Sequence, residues 1–145
     1  MIELRLLGGL EAEGAMHRRS LALLALVALS AQVPVLREGA MAFLWPESDS
    51  ARAGNSLRQT IFRLRRELGD DVLLTDATGG IQLNPALVRV DVWSFRAAAD
   101  QGRHAEAIEL YAGPLLGDFP LPGGSEFGQW VEAERDRLKR QYLAS

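Results

Sequence analysis

The clearest periodic pattern of the chain lies between Ser50 and Leu68. Four apolar residues recur there at i, i+4, i+7 and i+11, and at about 100° per residue this spacing places them in one narrow stripe. They are Leu57, Ile61, Leu64 and Leu68. Asp49 or Ser50 can cap the start of a helix here, and Gly69 can end it. The pattern predicts an amphipathic helix whose apolar stripe faces a core.

The opposite side of this predicted helix is basic and rich in amides. Its members are Arg52, Asn55, Gln59, Arg63 and Arg66, with Arg58 and Arg65 on one flank and Thr60 on the other. Five arginines lie between Ser50 and Leu68 against one acid, Glu67, whereas an ordinary solvated helix mixes both signs. Guanidinium groups match guanine edges and phosphates, and side-chain amides match adenine. The face indicates contact with nucleic acid, with an ordinary solvated helix as the alternative.

Two elements are predicted near the start of the chain. Apolar and polar residues alternate over residues 2–6, which predicts an edge strand that turns at Gly8 and Gly9, with residues 10–13 as a candidate partner strand. Residues 18–31 are apolar nearly all round, as in a helix that is buried on several sides. This helix is therefore expected to lie at the centre of a small domain.

A short helix and a hairpin flank the basic helix. Residues 37–45 fit a helix that Pro46 ends. Residues 72–75 and 81–83 fit two strands joined by a five-residue loop that contains two glycines. Strand, helix, short helix, basic helix and hairpin, in this order, make up a winged helix-turn-helix. In that arrangement the third helix enters the major groove of DNA, and the hairpin tip reaches the neighbouring backbone or minor groove.

The composition changes after Pro85, and helices follow. Asp91 can cap one helix, residues 103–112 predict a second, and the two resemble one unit of a helical-repeat array. A stretch rich in glycine and proline over residues 113–125 precedes a final helix over residues 126–143. The residues predicted to face inward in this part are Ala107, Ile108, Tyr111, Leu115, Leu116, Phe119, Leu121, Phe127, Trp130, Val131, Leu138 and Tyr142.

Two side chains break the pattern of their helices. Phe62 lies on or near the outward arc of the basic helix, and we expect it to be partly exposed and to contact a thymine methyl or an apolar patch of a partner. Glu134 lies within the apolar stripe of the final helix, where a carboxylate is costly unless it is paired. We expect it to accept hydrogen bonds from an arginine or from backbone N–H groups, with Arg18 and Arg19 as candidate donors. The alternative is a splayed helix end that leaves Glu134 solvated.

Charge and composition narrow the classes of function. The 145 residues carry a formal net charge of −3 and no cysteine, which excludes disulfides and thiolate metal sites. Residues 1–90 hold 10 basic and 10 acidic side chains, and residues 91–145 hold 6 and 9. A local basic surface can bind DNA within an acidic chain.

No P-loop, zinc-binding spacing or nucleophile elbow occurs, so we predict no enzyme, no cofactor and no metal site. The acids Asp70, Asp71 and Asp76 are interpreted as a solvated loop.

Three blocks of the sequence resemble a known family. They are Phe43-Leu44-Trp45-Pro46 with Ser56-Leu57-Arg58-Gln59 through Leu64-Arg65-Arg66-Glu67-Leu68-Gly69, then Val90-Asp91-Val92-Trp93-Ser94-Phe95, and then Glu126-Phe127 with Trp130-Val131-Glu132-Ala133-Glu134-Arg135. Together they resemble the antibiotic-regulatory type of bacterial transcriptional activator over most of the chain.

The resemblance implies a mostly α fold with small β elements. A response-regulator-type winged helix-turn-helix domain over residues 1–88 would be followed, over residues 89–145, by the start of a tetratricopeptide-like helical bacterial transcriptional activator domain. That helical domain extends well past this length in the family. The chain is therefore expected to be a fragment or a naturally shortened member.

The resemblance also implies the residues that contact DNA. The recognition-helix contacts of the family fall on Asn55, Ser56, Gln59, Thr60, Arg63 and Arg65, and its wing contacts fall on Thr75 and Thr78. The helical positions add Arg52 and Arg66, and Arg58 is a further candidate on the flank of the basic face. The expected function is that of a sequence-specific DNA-binding transcriptional regulator, an activator, with the helix over 50–68 in the major groove and the 75–80 hairpin as the wing. The alternative is a protein–protein interaction module whose winged helix no longer binds DNA.

The expected partner is double-stranded DNA, and RNA polymerase and a second copy of the chain are further candidates. The apolar segment over residues 20–31 is too short to span a bilayer, and the chain lacks an N-terminal signal-peptide layout. A cytoplasmic protein without a membrane partner is therefore expected.

Overall fold

A computed structural model of the chain describes residues 2–10, 18–30, 33–119 and 125–145. Within these ranges it contains six helices and five short strands. In chain order they are β1 (Ile2–Leu4), α1 (Arg18–Leu29), β2 (Val35–Leu36), α2 (Arg37–Leu44), α3 (Ser50–Leu68), β3 (Leu73–Thr75), β4 (Gly80–Leu83), β5 (Val88–Val90), α4 (Asp91–Asp100), α5 (His104–Leu110) and α6 (Ser125–Ala144). None of the described helices is long and apolar enough to cross a membrane.

The first three helices and the β3–β4 hairpin form the predicted winged helix. α1 is its centre, because nine of its twelve residues are buried. α2 and α3 pack against α1 and against each other. β2 adds to the hairpin, and the sheet has the antiparallel order β2-β4-β3. The two-residue strand β2 was not predicted, because a strand this short has no alternation to detect.

Among the described residues, β1 pairs with a strand far along the chain. It lies parallel to β5, with Ile2 opposite Val88 and Leu4 opposite Val90. A parallel pair needs a long crossover, and here the whole winged helix is that crossover. Most of the candidate partner strand over residues 10–13 lies outside the described residues. The domain boundary predicted at residue 88 falls at the first residue of β5 and stays a prediction.

Asp91 ties the end of β1 to the start of α4. The cap position of α4 is Val90, and Asp91 is the first helical residue, so the prediction that Asp91 caps this helix is wrong. Its carboxylate instead accepts hydrogen bonds from the backbone N–H groups of Leu6 and Leu7, each at 2.9 Å. Burial raises the pKa of the Asp91 carboxyl, although these two N–H donors favour its ionised form.

The helical part consists of α4, α5 and α6, and aromatic contacts hold it together. Phe95 of α4 is fully buried, and its ring centroid lies 5.6 Å from that of Tyr111. Tyr111 in turn stacks on Tyr142 of α6 at 4.3 Å. Leu115 and Leu116 are buried as predicted, but Ile108 is 46% exposed, so its predicted inward position is wrong. α5 has only seven residues, and of these only Ala107 is buried.

The helical part also packs directly on the winged helix. Phe43 of α2 stacks on Phe127 of α6 with ring centroids 5.7 Å apart, and Trp130 lies 6.0 Å from Phe43. The indole N–H of Trp93 donates to the Ala28 carbonyl at the end of α1, at 2.7 Å. These contacts join the two parts through apolar surface and through the free carbonyls of the α1 C-terminus.

Glu134 is buried, with 6% of its surface exposed, and it accepts from arginines as predicted. Its partners are Arg96 of α4 at 2.9 Å and Arg137 at 2.6 Å. The predicted donors Arg18 and Arg19 are wrong, because Arg19 donates to the Leu44 carbonyl and pairs with Glu47. Arg96 is the donor because α4 packs against α6.

Candidate nucleic-acid interface

The side chains of α3 form ridges along the helix, because residues four apart lie about 40° apart around its axis. The buried residues of α3 are Ala53, Leu57, Thr60, Ile61 and Leu64, which face α1 and α2. Two ridges lie on the opposite side. One consists of Asn55, Gln59 and Arg63, and the other consists of Arg58, Phe62 and Arg66. The predicted basic face is therefore directed away from the core.

Most residues on this side of α3 are open to solvent. The exposed ones are Arg52, Asn55, Arg58, Gln59, Phe62 and Arg66, and the half-buried ones are Ser56, Arg63 and Arg65. The side chains of Arg58, Gln59, Phe62, Arg63, Arg66 and Glu67 border one shallow groove along the helix. Amide, guanidinium and aromatic groups are thus presented together on one surface.

The positive charge of this surface is largely unpaired. Arg58, Arg63 and Arg66 make no ion pair with any described residue. Arg52 lies 3.8 Å from Asp49, but both side chains are mostly exposed, and such a pair is weak. The guanidinium groups are therefore free to bind an anionic partner.

Two of the predicted contact residues have a role inside the fold. Thr60 is 4% exposed, and its hydroxyl donates to the Ser56 carbonyl at 2.8 Å, so its predicted place on the exposed face is wrong. Thr60 is four residues before Leu64 and shares its buried ridge. The guanidinium of Arg65 donates to the Leu73 carbonyl of β3 at 3.0 Å, and its Nε is buried without a hydrogen-bond partner among the described residues. Arg65 therefore holds the hairpin against α3.

The start of α3 is fixed by Asp49, one of the two residues predicted as its cap. Asp49 has an extended backbone, and its carboxylate accepts from the Arg52 N–H at 2.8 Å. Gly69 follows the last residue with φ of 118°, a conformation that favours glycine. Both ends of the helix that carries the two exposed ridges are therefore defined by local groups.

The wing is shaped by one carboxylate. Asp76 accepts from the Thr78 hydroxyl at 2.7 Å, from the Thr78 N–H at 2.9 Å and from the Gly80 N–H at 2.7 Å. These bonds, led by that of the Thr78 hydroxyl, lower the pKa of the Asp76 carboxyl. Thr75 and Thr78 are both exposed. The single hydroxyl proton of Thr78, however, is already donated within the turn.

One basic residue beside the wing was not predicted. Arg37, the first residue of α2, lies with its side chain against Gly79, since a Cβ atom at Gly79 would be 3.1 Å from the Arg37 Cδ atom. Arg37 is half-buried and forms no ion pair with a described residue. No local sequence signal marks it, because its neighbour is 42 positions away in the chain.

The structure of Mycobacterium tuberculosis EmbR in complex with a low-affinity phosphopeptide is similar to this chain, with a TM-score of 0.73 and 22% sequence identity. The two share a fold. The match covers 99% of this chain and 43% of EmbR, so the chain spans less than half the length of that protein. No protein-family model matches the chain, and no curated protein matches its sequence. The winged helix and the helical part thus form an arrangement that is also found in EmbR.

Proposed function

We propose that this chain is a sequence-specific DNA-binding transcriptional regulator that acts as an activator. The observation that carries the proposal is the exposed face of α3, where unpaired guanidinium groups and side-chain amides stand together on the third helix of a winged helix. α3 has 19 residues. An α-helix with its side chains is about 10–12 Å across and fits the major groove of B-DNA, which is about 12 Å wide.

The residues on the exposed face of α3 would contact different parts of the DNA. Asn55 and Gln59 can bond an adenine edge in two places, and Arg63 can do the same with guanine. Arg52 and Arg66 lie nearer the two ends of the helix, where they can reach phosphates on either side of the groove. Ser56 and Arg58 border these residues and add further donors. Thr60 has no place in this proposal, and Arg65 supports the hairpin.

The wing has a smaller part in the proposal. Thr75 is free to donate to a phosphate, whereas Thr78 shapes the turn through Asp76. The exposed carboxylate of Asp76 disfavours a phosphate directly at the tip. Arg37, which lies beside Gly79, supplies a positive charge at this end of the interface.

Activation is assigned to the helical part. Glu132, Asp136, Lys139 and Arg140 of α6 are exposed, and a partner such as RNA polymerase could bind there while α3 holds the DNA. The likeness to EmbR supports the fold on which this proposal rests. DNA contact and activation by this chain are proposals of their own, because the chain spans 43% of EmbR.

A salt titration tests the proposal. Duplexes selected from random DNA by rounds of binding to the protein are measured between about 50 and 200 mM salt, and several phosphate contacts should reduce the affinity by orders of magnitude over this range. Binding that is absent, or that does not change with salt, would reject DNA recognition. The protein–protein interaction module would then be the better reading of the exposed face of α3.

A further inference from the structure

Phe62 differs from every other residue of the exposed face of α3. It is 64% exposed. The structure describes all of α3, and no other large apolar side chain of this helix is exposed. The predicted exposure of Phe62 is thus confirmed. A single exposed apolar side chain is common on protein surfaces and needs no explanation. Its position on this helix is what gives it meaning.

Phe62 lies in the middle of the basic face and not at its border with the core. At about 100° per residue it is about 40° from Arg58 and Arg66, and about 20° from Asn55. Arg58 precedes it by one turn on the same ridge, and Arg66 follows it by one turn. Whatever binds the arginines must therefore also cover the ring of Phe62.

The ring is held in place by its neighbour. The guanidinium carbon of Arg66 lies 5.9 Å from the centroid of the Phe62 ring, which is within range of a cation–π contact. The ring also borders the groove shared with Gln59 and Arg63. An aromatic group held in this way offers an apolar surface at little cost in conformational entropy.

The major groove contains one apolar group on its base edges, the C5 methyl of thymine. All other groups there are hydrogen-bond donors and acceptors, which cannot pair with a phenyl ring. We propose that Phe62 contacts a thymine methyl and thereby makes the protein require thymine at one position of its binding site. This inference rests on the proposed function, since it needs α3 in the major groove.

The test removes the methyl group alone. In the duplex selected by the wild-type protein, each thymine is replaced in turn by deoxyuridine, which keeps the hydrogen-bonding groups of the base. Removing one buried methyl group should weaken binding by about three- to tenfold. We expect this loss at one thymine for the wild-type protein. At the same position Phe62→Ala should bind the thymine and uracil duplexes equally.

Two variants serve as controls. Phe62→Leu keeps an apolar side chain and should retain part of the preference for thymine. Ile108→Ala removes another exposed apolar side chain, far along the chain on α5, and should behave as the wild type does. Thermal unfolding of each variant checks that the fold is intact, which we expect because Phe62 is mostly exposed.

The outcomes separate the two proposals. If the wild type selects a duplex and binds it with the expected salt dependence, but its uracil profile equals that of Phe62→Ala, Phe62 does not read thymine and the proposed function stands. If the wild type selects no duplex, both proposals fail. If Phe62 instead contacts a protein partner, we expect the first of these results, in which the duplex is bound but the uracil profiles are equal.

Discussion

The ridge formed by Asn55, Gln59 and Arg63 combines two amides and a guanidinium on one line of α3. The two amides can recognise adenine and the guanidinium can recognise guanine, so the order of these residues would translate into the order of bases read. Arg63 is half-buried and makes no ion pair with any described residue, so its charged group remains available. Single substitutions on this ridge should therefore affect binding more than stability.

Arg63→Ala is expected to weaken binding to the selected duplex by about 1–3 kcal/mol, because it removes a charged contact to a base or phosphate. The free energy of unfolding should change by less than about 1 kcal/mol. Arg89→Ala is the matched control, since Arg89 is an exposed arginine on β5 whose ion-pair partner among the described residues is Glu3 alone. Equal binding losses in the two variants would show that net charge matters and that Arg63 does not.

At the scale of the element, two glycines show how local geometry shapes α2 and the wing. Gly80 begins β4, and a Cβ atom there would lie 2.6 Å from the Asp76 carboxylate and 2.7 Å from the Pro34 Cβ atom. Gly39 is in α2, where a Cβ atom would meet nothing within 4 Å. The wing therefore needs its glycine, whereas the helix only tolerates one.

The same change at these two positions should have opposite effects. Gly80→Ala should destabilise the protein by about 1–3 kcal/mol through overpacking beside Asp76. Gly39→Ala should stabilise it by about 0.5–1 kcal/mol, because alanine is the better helix former. Urea unfolding midpoints measure both. A Gly80→Ala protein as stable as its parent would mean that the turn relaxes without cost.

At the scale of the whole molecule, the helical part is attached to the winged helix at separate points. β1 pairs with β5, and Asp91 accepts from the N–H groups that follow β1. Arg96 donates to Glu134 and reaches the Leu29 carbonyl of α1 at 3.4 Å. A single guanidinium thus touches α6 and the C-terminus of α1, so the position of α6 is coupled to the helix that supports α3.

Glu134→Gln should destabilise the protein by about 1–3 kcal/mol, since a buried amide would satisfy the guanidinium groups of Arg96 and Arg137 less well than the buried carboxylate does. Glu132→Gln is the control, because Glu132 is on the same helix but is mostly exposed and, within the described part of the chain, pairs with Arg135 alone. Chemical denaturation of the full chain measures both. If the two variants are equally stable, the pair of Glu134 and Arg96 does not hold α6 in place.

The sequence by itself determined the features that depend on local interactions. The bounds of α3, its Asp49 cap and its Gly69 end follow from helical period and capping, which act over a few residues. The same holds for the order of helices and hairpin that makes the winged helix, and for the exposure of Phe62. For the candidate site, the two outward ridges were predictable because the leucine stripe defines the side opposite to them.

Only the tertiary structure decided which distant groups meet. The pairing of β1 with β5, the bonds from Leu6 and Leu7 to Asp91, and the choice of Arg96 for Glu134 join residues 38 to 86 positions apart. No local pattern encodes such a partner, because any arginine or strand edge of suitable type could serve. The burial of Thr60 and the bond from Arg65 to the Leu73 carbonyl were not predicted either: both residues lie at the edges of the face, where the packing of α1, α2 and β3 decides what is buried.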